Sequence, residues 1–140
     1  MTPLDRLFAE HQIADLVTRY AMYNDDGDYD AVAALFTDDA SFVRPSGGDP
    51  IVGRDAIRAS YEGRAPRISR HLITNIVVDL ATEDEANVRS TIVLYTAPPG
   101  GLPADANKPA LLGGFRDRVV KTADGWRFAV REGFLDLKLD

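Results

Sequence analysis

The chain has 140 residues, 45% of them hydrophobic and 27% charged, the balance of one globular domain able to build its own core. Its 22 acidic residues outnumber 16 lysines and arginines, and a net charge of −6 argues against a nucleic-acid partner, which needs a basic face. No cysteine is present, which excludes a disulfide framework, a thiolate metal site and a cysteine nucleophile.

Thr2-Pro3-Leu4-Asp5 has the form of a helix start, with a hydroxyl cap, proline at the first helical position and an acid in the first turn. Asp5, Arg6 and Glu10 interrupt the apolar residues there, unlike the continuous apolar run of a signal peptide. No stretch approaches the roughly 18–20 apolar residues that cross a bilayer. The expectation is one cytoplasmic domain over residues 1–140 with no membrane partner.

Leu7, Ile13, Leu16, Val17, Tyr20 and Ala21 recur at helical spacing, so the first helix runs to about Tyr23. Asn24-Asp25-Asp26-Gly27-Asp28 ends it, with Gly27 as the left-handed residue. Asp28 caps a short second helix that turns Ala31, Val32, Leu35 and Phe36 inward. A first strand is expected over Ala40 to Arg44, a turn over Pro45 to Pro50, and a third helix from Gly53 to about Glu62. Beyond Pro66 the chain becomes β-rich, at Ile68 to Leu80, Ala86 to Ala97, Ala110 to Thr122 and Trp126 to about Leu137. The short turns at Glu83-Asp84-Glu85 and Thr122 to Gly125 imply antiparallel pairing, and helices packed on one face of such a sheet make an α+β fold. The proline-rich segment from Pro98 to Pro109 is either a flap over a site or a plain surface excursion.

His11 and His71 are the only histidines. His11 sits among polar neighbours on the first helix and reads as a surface residue. His71 lies in an otherwise apolar strand, where strict alternation puts His71, Ile73, Asn75 and Val77 on one face. It is either a core histidine satisfied by backbone or, if a carboxylate holds it in a pocket, a general base. Asp25, Asp26 and Asp28 are the carboxylates at the end of the first helix. Asp28 and Asp26 suit capping and solvent, whereas Asp25 is either a further solvated acid or turned to the side of the apolar stripe.

Taken together, Tyr20-x4-Asp25-x-Gly27-Asp28, Phe36 to Ala40, Gly53 to Ile57, Arg70 to Asn75, Gly114 to Asp117 and Asp124 to Arg131 resemble, in this order, the SnoaL-like proteins of the nuclear-transport-factor-like superfamily. The resemblance implies a cone-shaped α+β barrel, a strongly bent, mixed but mostly antiparallel sheet wrapped on three N-terminal helices. Scytalone dehydratase and related dehydratases and dehydrohalogenases of this fold share an Asp–His pair, to which Asp25 and His71 correspond. The resemblance thus implies that His71 takes a proton from carbon while Asp25 orients the ring. Scytalone dehydratase carries a second pocket histidine on the next strand, where this chain has Arg89-Ser90-Thr91. The cyclases of the family instead use an aspartate on another strand, for which Asp117 and Asp136 are the candidates.

The function expected is that of a cofactor-independent, metal-free lyase or isomerase of the dehydratase, dehydrohalogenase or cyclase type. Its ligand would be a small apolar molecule. Tyr23, Asn75 and Arg89 are candidates to polarise the substrate, and Phe115, Phe128, Ile73 and Val93 to line the pocket; Arg116 and Arg131 serve equally well as outer-face salt-bridge partners. The alternative is a non-catalytic ligand-binding or structural subunit module of the same fold. An apolar outer sheet face would make the protein a homo-oligomer, dimer or trimer.

Overall fold

The computed structural model describes residues Met1–Asp140. Helices α1 (Pro3–Asp26), α2 (Tyr29–Ala34) and α3 (Arg54–Glu62) accompany strands β1 (Phe36–Val43), β2 (Ile51–Val52), β3 (Ile68–Leu80), β4 (Glu85–Ala97), β5 (Ala110–Thr122) and β6 (Gly125–Leu139). The strands form one open sheet of order β2-β1-β6-β5-β4-β3. Every neighbouring pair is antiparallel except β1 with β6, which is parallel. This is the α+β cone expected from the sequence. None of its helices is long and apolar enough to cross a membrane.

α1 starts at a reciprocal capping box, Thr2 accepting from the Asp5 amide and the Asp5 carboxylate from the Thr2 amide. It ends at Gly27, where φ of 72° lets the Gly27 and Asp28 amides reach back to the Asn24 and Tyr23 carbonyls. Ile13, Leu16, Val17 and Tyr20 are buried in the concavity of the sheet. The second helix stops two residues earlier than the sequence implied, at Ala34. Leu35 is its C-cap, and Phe36 opens β1 rather than completing the helix, because the Phe36 carbonyl accepts from the Arg54 guanidinium and Phe36 pairs with Phe128.

Tyr20 is the hub of the core, in edge-to-face contact with Phe36, Phe42, Tyr61, Phe115 and Phe128. The sheet bends sharply where β5 crosses it. A Cβ on Gly113 would lie 1.9 Å from the Phe134 carbonyl oxygen, and one on Gly114 would lie 2.3 Å from that of Ser90. Only glycine permits so close an approach of three strands.

β3 departs from simple alternation. Its register with β4 shifts between Thr74 and Val77, where Asn75 adopts φ of 52°. Before this bulge Ser69, His71 and Ile73 face the core; after it Ile76, Val78 and Leu80 do, and Val77 is exposed. Asn75 therefore leaves the face of His71, which corrects its expected place in the pocket.

Residues 98–109 are exposed throughout and are tied down by Asn107, whose amide and side chain bond Thr96. Leu102, Ala104 and Ala106 of this segment line a groove with Ile68, Arg70 and Tyr95, away from the cavity at His71.

Candidate functional site

The C-terminal turn of α1 and the first half of β3 meet inside the cone. The αL stop at Gly27 fixes the turn carrying Asn24 and Asp25, and alternation along β3 presents Ser69 and His71 to it. Asp25 accepts three hydrogen bonds there: Oδ1 from the Ser69 hydroxyl at 2.9 Å and from His71 Nδ1 at 2.5 Å, and Oδ2 from the His71 amide at 2.8 Å. The His71 and Asp25 side chains are 7% and 12% exposed. An ionised carboxylate only accepts, so Nδ1 carries the proton and Nε2 of the neutral ring keeps its lone pair. Nε2 has no partner within the protein, and His71 lines a cavity of about 220 Å³. The arrangement can accept a proton from a molecule in that cavity.

Opposite the histidine, the hydroxyls of Tyr20 and Tyr61 are hydrogen-bonded to each other. Burial raises the pKa of both phenols, most strongly that of Tyr61, so both stay protonated. Two phenols have two protons and share one between them, which leaves one free to donate into the cavity. Phe42, Ile92 and Phe115 complete the inner wall. Arg44, Arg64 and Arg67 stand on the outer side, with Arg44 and Arg64 half-buried and Arg67 exposed. The pocket expected to be apolar is thus apolar in its depth and lined by charge on its outer side.

The remaining sequence candidates are dispersed. Phe115 lines the cavity. Tyr23 does not: it lines a groove between α1 and the start of β6, its hydroxyl 3.3 Å from Arg19 Nη1, because one helical position from Asn24 turns it away from the cavity. Arg89 and Asn75 line a separate groove on the convex side of the sheet with Arg116, whose guanidinium lies over the Phe134 ring. Phe128 is fully buried in the aromatic core and does not reach the cavity. Ile73 faces inward but packs on the core, while Val93 pairs with Leu72 and Leu112 on the convex face. Of the two further aspartates, Asp136 is exposed and Asp117 is buried beside Arg131.

Arg131 is no outer-face residue. It is wholly inside the core, its guanidinium 3.7–4.3 Å from the ring centres of Phe115, Tyr20 and Phe128. Its only charged neighbour is Asp117, at 3.5 Å, without a hydrogen bond on either side.

Sequence reasoning did not single out Ser69, Tyr61, Asn24 or the three cavity arginines. The alternation that placed His71 inward, extended back two residues, would have found Ser69. Asn24 is four residues after Tyr20, on the same helical stripe. No group of three or more histidine, aspartate or glutamate side chains is placed to hold a metal ion.

Comparison with known proteins extends this picture. No curated protein matches the chain. Among solved structures, a candidate scytalone dehydratase from Novosphingobium aromaticivorans DSM 12444 is 28% identical with a TM-score of 0.85, the match covering 99% of this chain and 91% of that one. A Mycobacterium tuberculosis protein of unknown function is 30% identical with a TM-score of 0.80, over 97% of this chain and 77% of that one. A third, an NTF2-like protein with a cystatin-like fold from Novosphingobium aromaticivorans, is 24% identical with a TM-score of 0.77, over 94% and 84% of the two chains, a likeness of fold. The model of the SnoaL-like domain matches residues 5–132, nearly the whole chain, and the protein belongs to the SnoaL-like domain family.

Proposed function

We propose that the protein is a cofactor-independent lyase or isomerase that removes a proton from carbon next to a carbonyl, with His71 as general base. The observation that carries this reading is the Asp25–His71 hydrogen bond with Nε2 left free at a cavity. A base so placed contributes typically about 10²–10⁴ in rate. The SnoaL-like family and the likeness to a candidate scytalone dehydratase support a small-molecule reaction of the dehydratase or isomerase type.

In the dehydration of a β-hydroxy ketone, His71 Nε2 takes the α-proton and the C–H electron pair moves toward the carbonyl oxygen. The Tyr20–Tyr61 pair donates its free proton as a hydrogen bond to the oxygen as charge develops there. The pair then returns to form the C=C bond, the β-hydroxyl leaves with the proton from the His71 imidazolium as water, and the neutral base is restored. Asp25 holds the tautomer and stabilises the imidazolium. In an isomerisation the same proton is returned to another carbon.

The test is turnover of β-hydroxy ketones and β-halo ketones, followed by enone absorbance, for the wild type and His71→Gln. Loss of about 10²-fold or more in kcat, with the fold intact by circular dichroism, supports the reading. Turnover equal in the two proteins sinks it.

We also infer self-association through the convex face. Leu72, Val93, Leu112 and Leu137 lie side by side across four strands, and Leu72 and Leu137 are each 57% exposed. A Leu72→Glu variant should shift a dimer or trimer to monomer in sedimentation velocity; a wild type that is already monomeric at micromolar concentration overturns the inference.

A further inference from the structure

The cavity carries three arginines and no acid of its own. Arg44, Arg64 and Arg67 line it, and none of them takes part in an ion pair, although the chain as a whole is acidic. Asp25 is committed behind His71. The contacts these arginines do make are all to neutral groups. Arg44 donates to the Ser60 carbonyl at 2.7 Å and Arg64 to Asn24 Oδ1 at 3.0 Å, while the Arg64 Nε is buried with no partner. Arg67 makes no side-chain hydrogen bond. The Arg44 and Arg64 guanidinium carbons each stand 5.1 Å from the centre of the same Tyr61 ring, so the two charges flank one residue of the cavity wall. Partial desolvation of the Arg67 guanidinium lowers its pKa, and the neighbouring positive charges of Arg64 and Arg44 add to this. Like charges held together without a counter-ion are unfavourable in the empty site and become favourable when an anion arrives between them.

Resting on the reading of His71 as the base, we propose that the substrate is an organic carboxylate whose carboxylate group is gripped at the mouth by Arg44, Arg64 and Arg67. Guanidinium groups match a carboxylate bidentately and hold it more tightly than a neutral amide. The carboxylate is a handle and does not activate the reacting carbon. Beyond it, a carbonyl of the same molecule sits at the Tyr20–Tyr61 pair, with the carbon to be deprotonated facing His71. The substrate class is therefore a small oxo acid, and an anion without an organic body would leave the apolar depth of the cavity unfilled.

The experiment compares trans-cinnamate with its uncharged isostere cinnamamide, and benzoate with benzamide, by titration calorimetry at low and high salt. Cinnamate should bind at least tenfold more tightly than cinnamamide, with the difference shrinking as salt rises. Arg67 makes no bond that holds the fold, so Arg67→Met should lose about tenfold for cinnamate and leave cinnamamide unchanged, while Arg67→Lys recovers part of the loss. Charge-selective binding without turnover of any oxo acid would remove the catalytic reading and leave the carboxylate grip standing. Equal affinity for acid and amide, no binding of either acid at millimolar concentration, or inorganic phosphate binding as tightly as cinnamate would each overturn the proposal.

Discussion

Asp117→Asn separates two accounts of the charges buried in the core. Asp117 and Arg131 have side chains that are 0% exposed, lie 3.5 Å apart, and neither forms a hydrogen bond. In such a place desolvation of the carboxylate competes with attraction to the guanidinium, and either can win. Burial pushes the Asp117 pKa up to about 6 even though Arg131 pulls it down, so here desolvation dominates. The unfolded chain binds this proton only below a pKa of 3.8, and the folded chain binds it up to about 6. Between those values the folded state holds more protons, so this group's contribution to stability is complete below pH 3.8 and falls as pH rises through about 6. A difference of roughly two pKa units corresponds to about 3 kcal/mol. An asparagine has no charge to desolvate, so Asp117→Asn should be more stable than the wild type by up to about 3 kcal/mol at pH 8 and nearly equal to it at pH 4. Urea unfolding followed by the fluorescence of Trp126, the chain's single, buried tryptophan, reads this directly. With a slope of about 2 kcal/mol per molar, the midpoint should rise by about 1.5 M at pH 8. A variant instead destabilised by about 3–5 kcal/mol at pH 8, the usual result of orphaning a well-formed buried ion pair, would refute the reasoning.

Two other substitutions test the site and the bend of the sheet. Asp25→Asn keeps one carbonyl oxygen but puts an NH₂ group where a second oxygen accepted; facing Nδ1, that group forces the proton onto Nε2 and removes the base. A fall in kcat of about 10²–10⁴ with little change in KM is expected, with a stability loss of about 1–3 kcal/mol from the broken hydrogen bonds. An effect on KM alone, or no effect, would count against Asp25 as the orienting group. Gly114→Ala puts a methyl 2.3 Å from the Ser90 carbonyl oxygen and 2.8 Å from the Phe134 ring, neither relieved without moving a strand. It should cost about 1–3 kcal/mol or prevent folding, read as a lower thermal midpoint, and an unchanged midpoint would mean that the bend relaxes freely.

Most of the fold is written in short-range signals. Thr2-Pro3-Leu4-Asp5 and Gly27 mark the ends of α1 because capping is local chemistry, and the turn at Thr122 to Gly125 defines a hairpin by itself. What local signals cannot carry is the parallel pairing of β1 with β6, which joins segments about ninety residues apart. For the same reason Phe36, which continues the helical stripe of Val32, is claimed by β1 once Phe128 is available as its partner.

The site divides along the same line. His71 and Asp25 stand out because an imidazole in an apolar strand and a carboxylate beside an apolar stripe are locally out of place. Asn75 misled because alternation was assumed to run through β3, and a single residue with positive φ is enough to turn every later side chain over. The arginines escaped for a deeper reason. Arg44, Arg64 and Arg67 sit in or beside two connections, where a charged residue ordinarily meets solvent, and nothing in the order of residues says that these two connections converge on one cavity. Arg131 escaped for another reason: alternation from Trp126 and Phe128 sends it outward, and only the register shift of β6 on β5 between Phe128 and Val130 turns it into the aromatic core, where a guanidinium contradicts its hydration cost unless three rings and a carboxylate receive it. A residue whose local rule and physical cost disagree is where a sequence departs from what folding alone requires. In this chain both kinds of departure, the uncompensated arginines and the unprovoked histidine, border the same cavity, which is the argument for a site rather than a core that merely tolerates them.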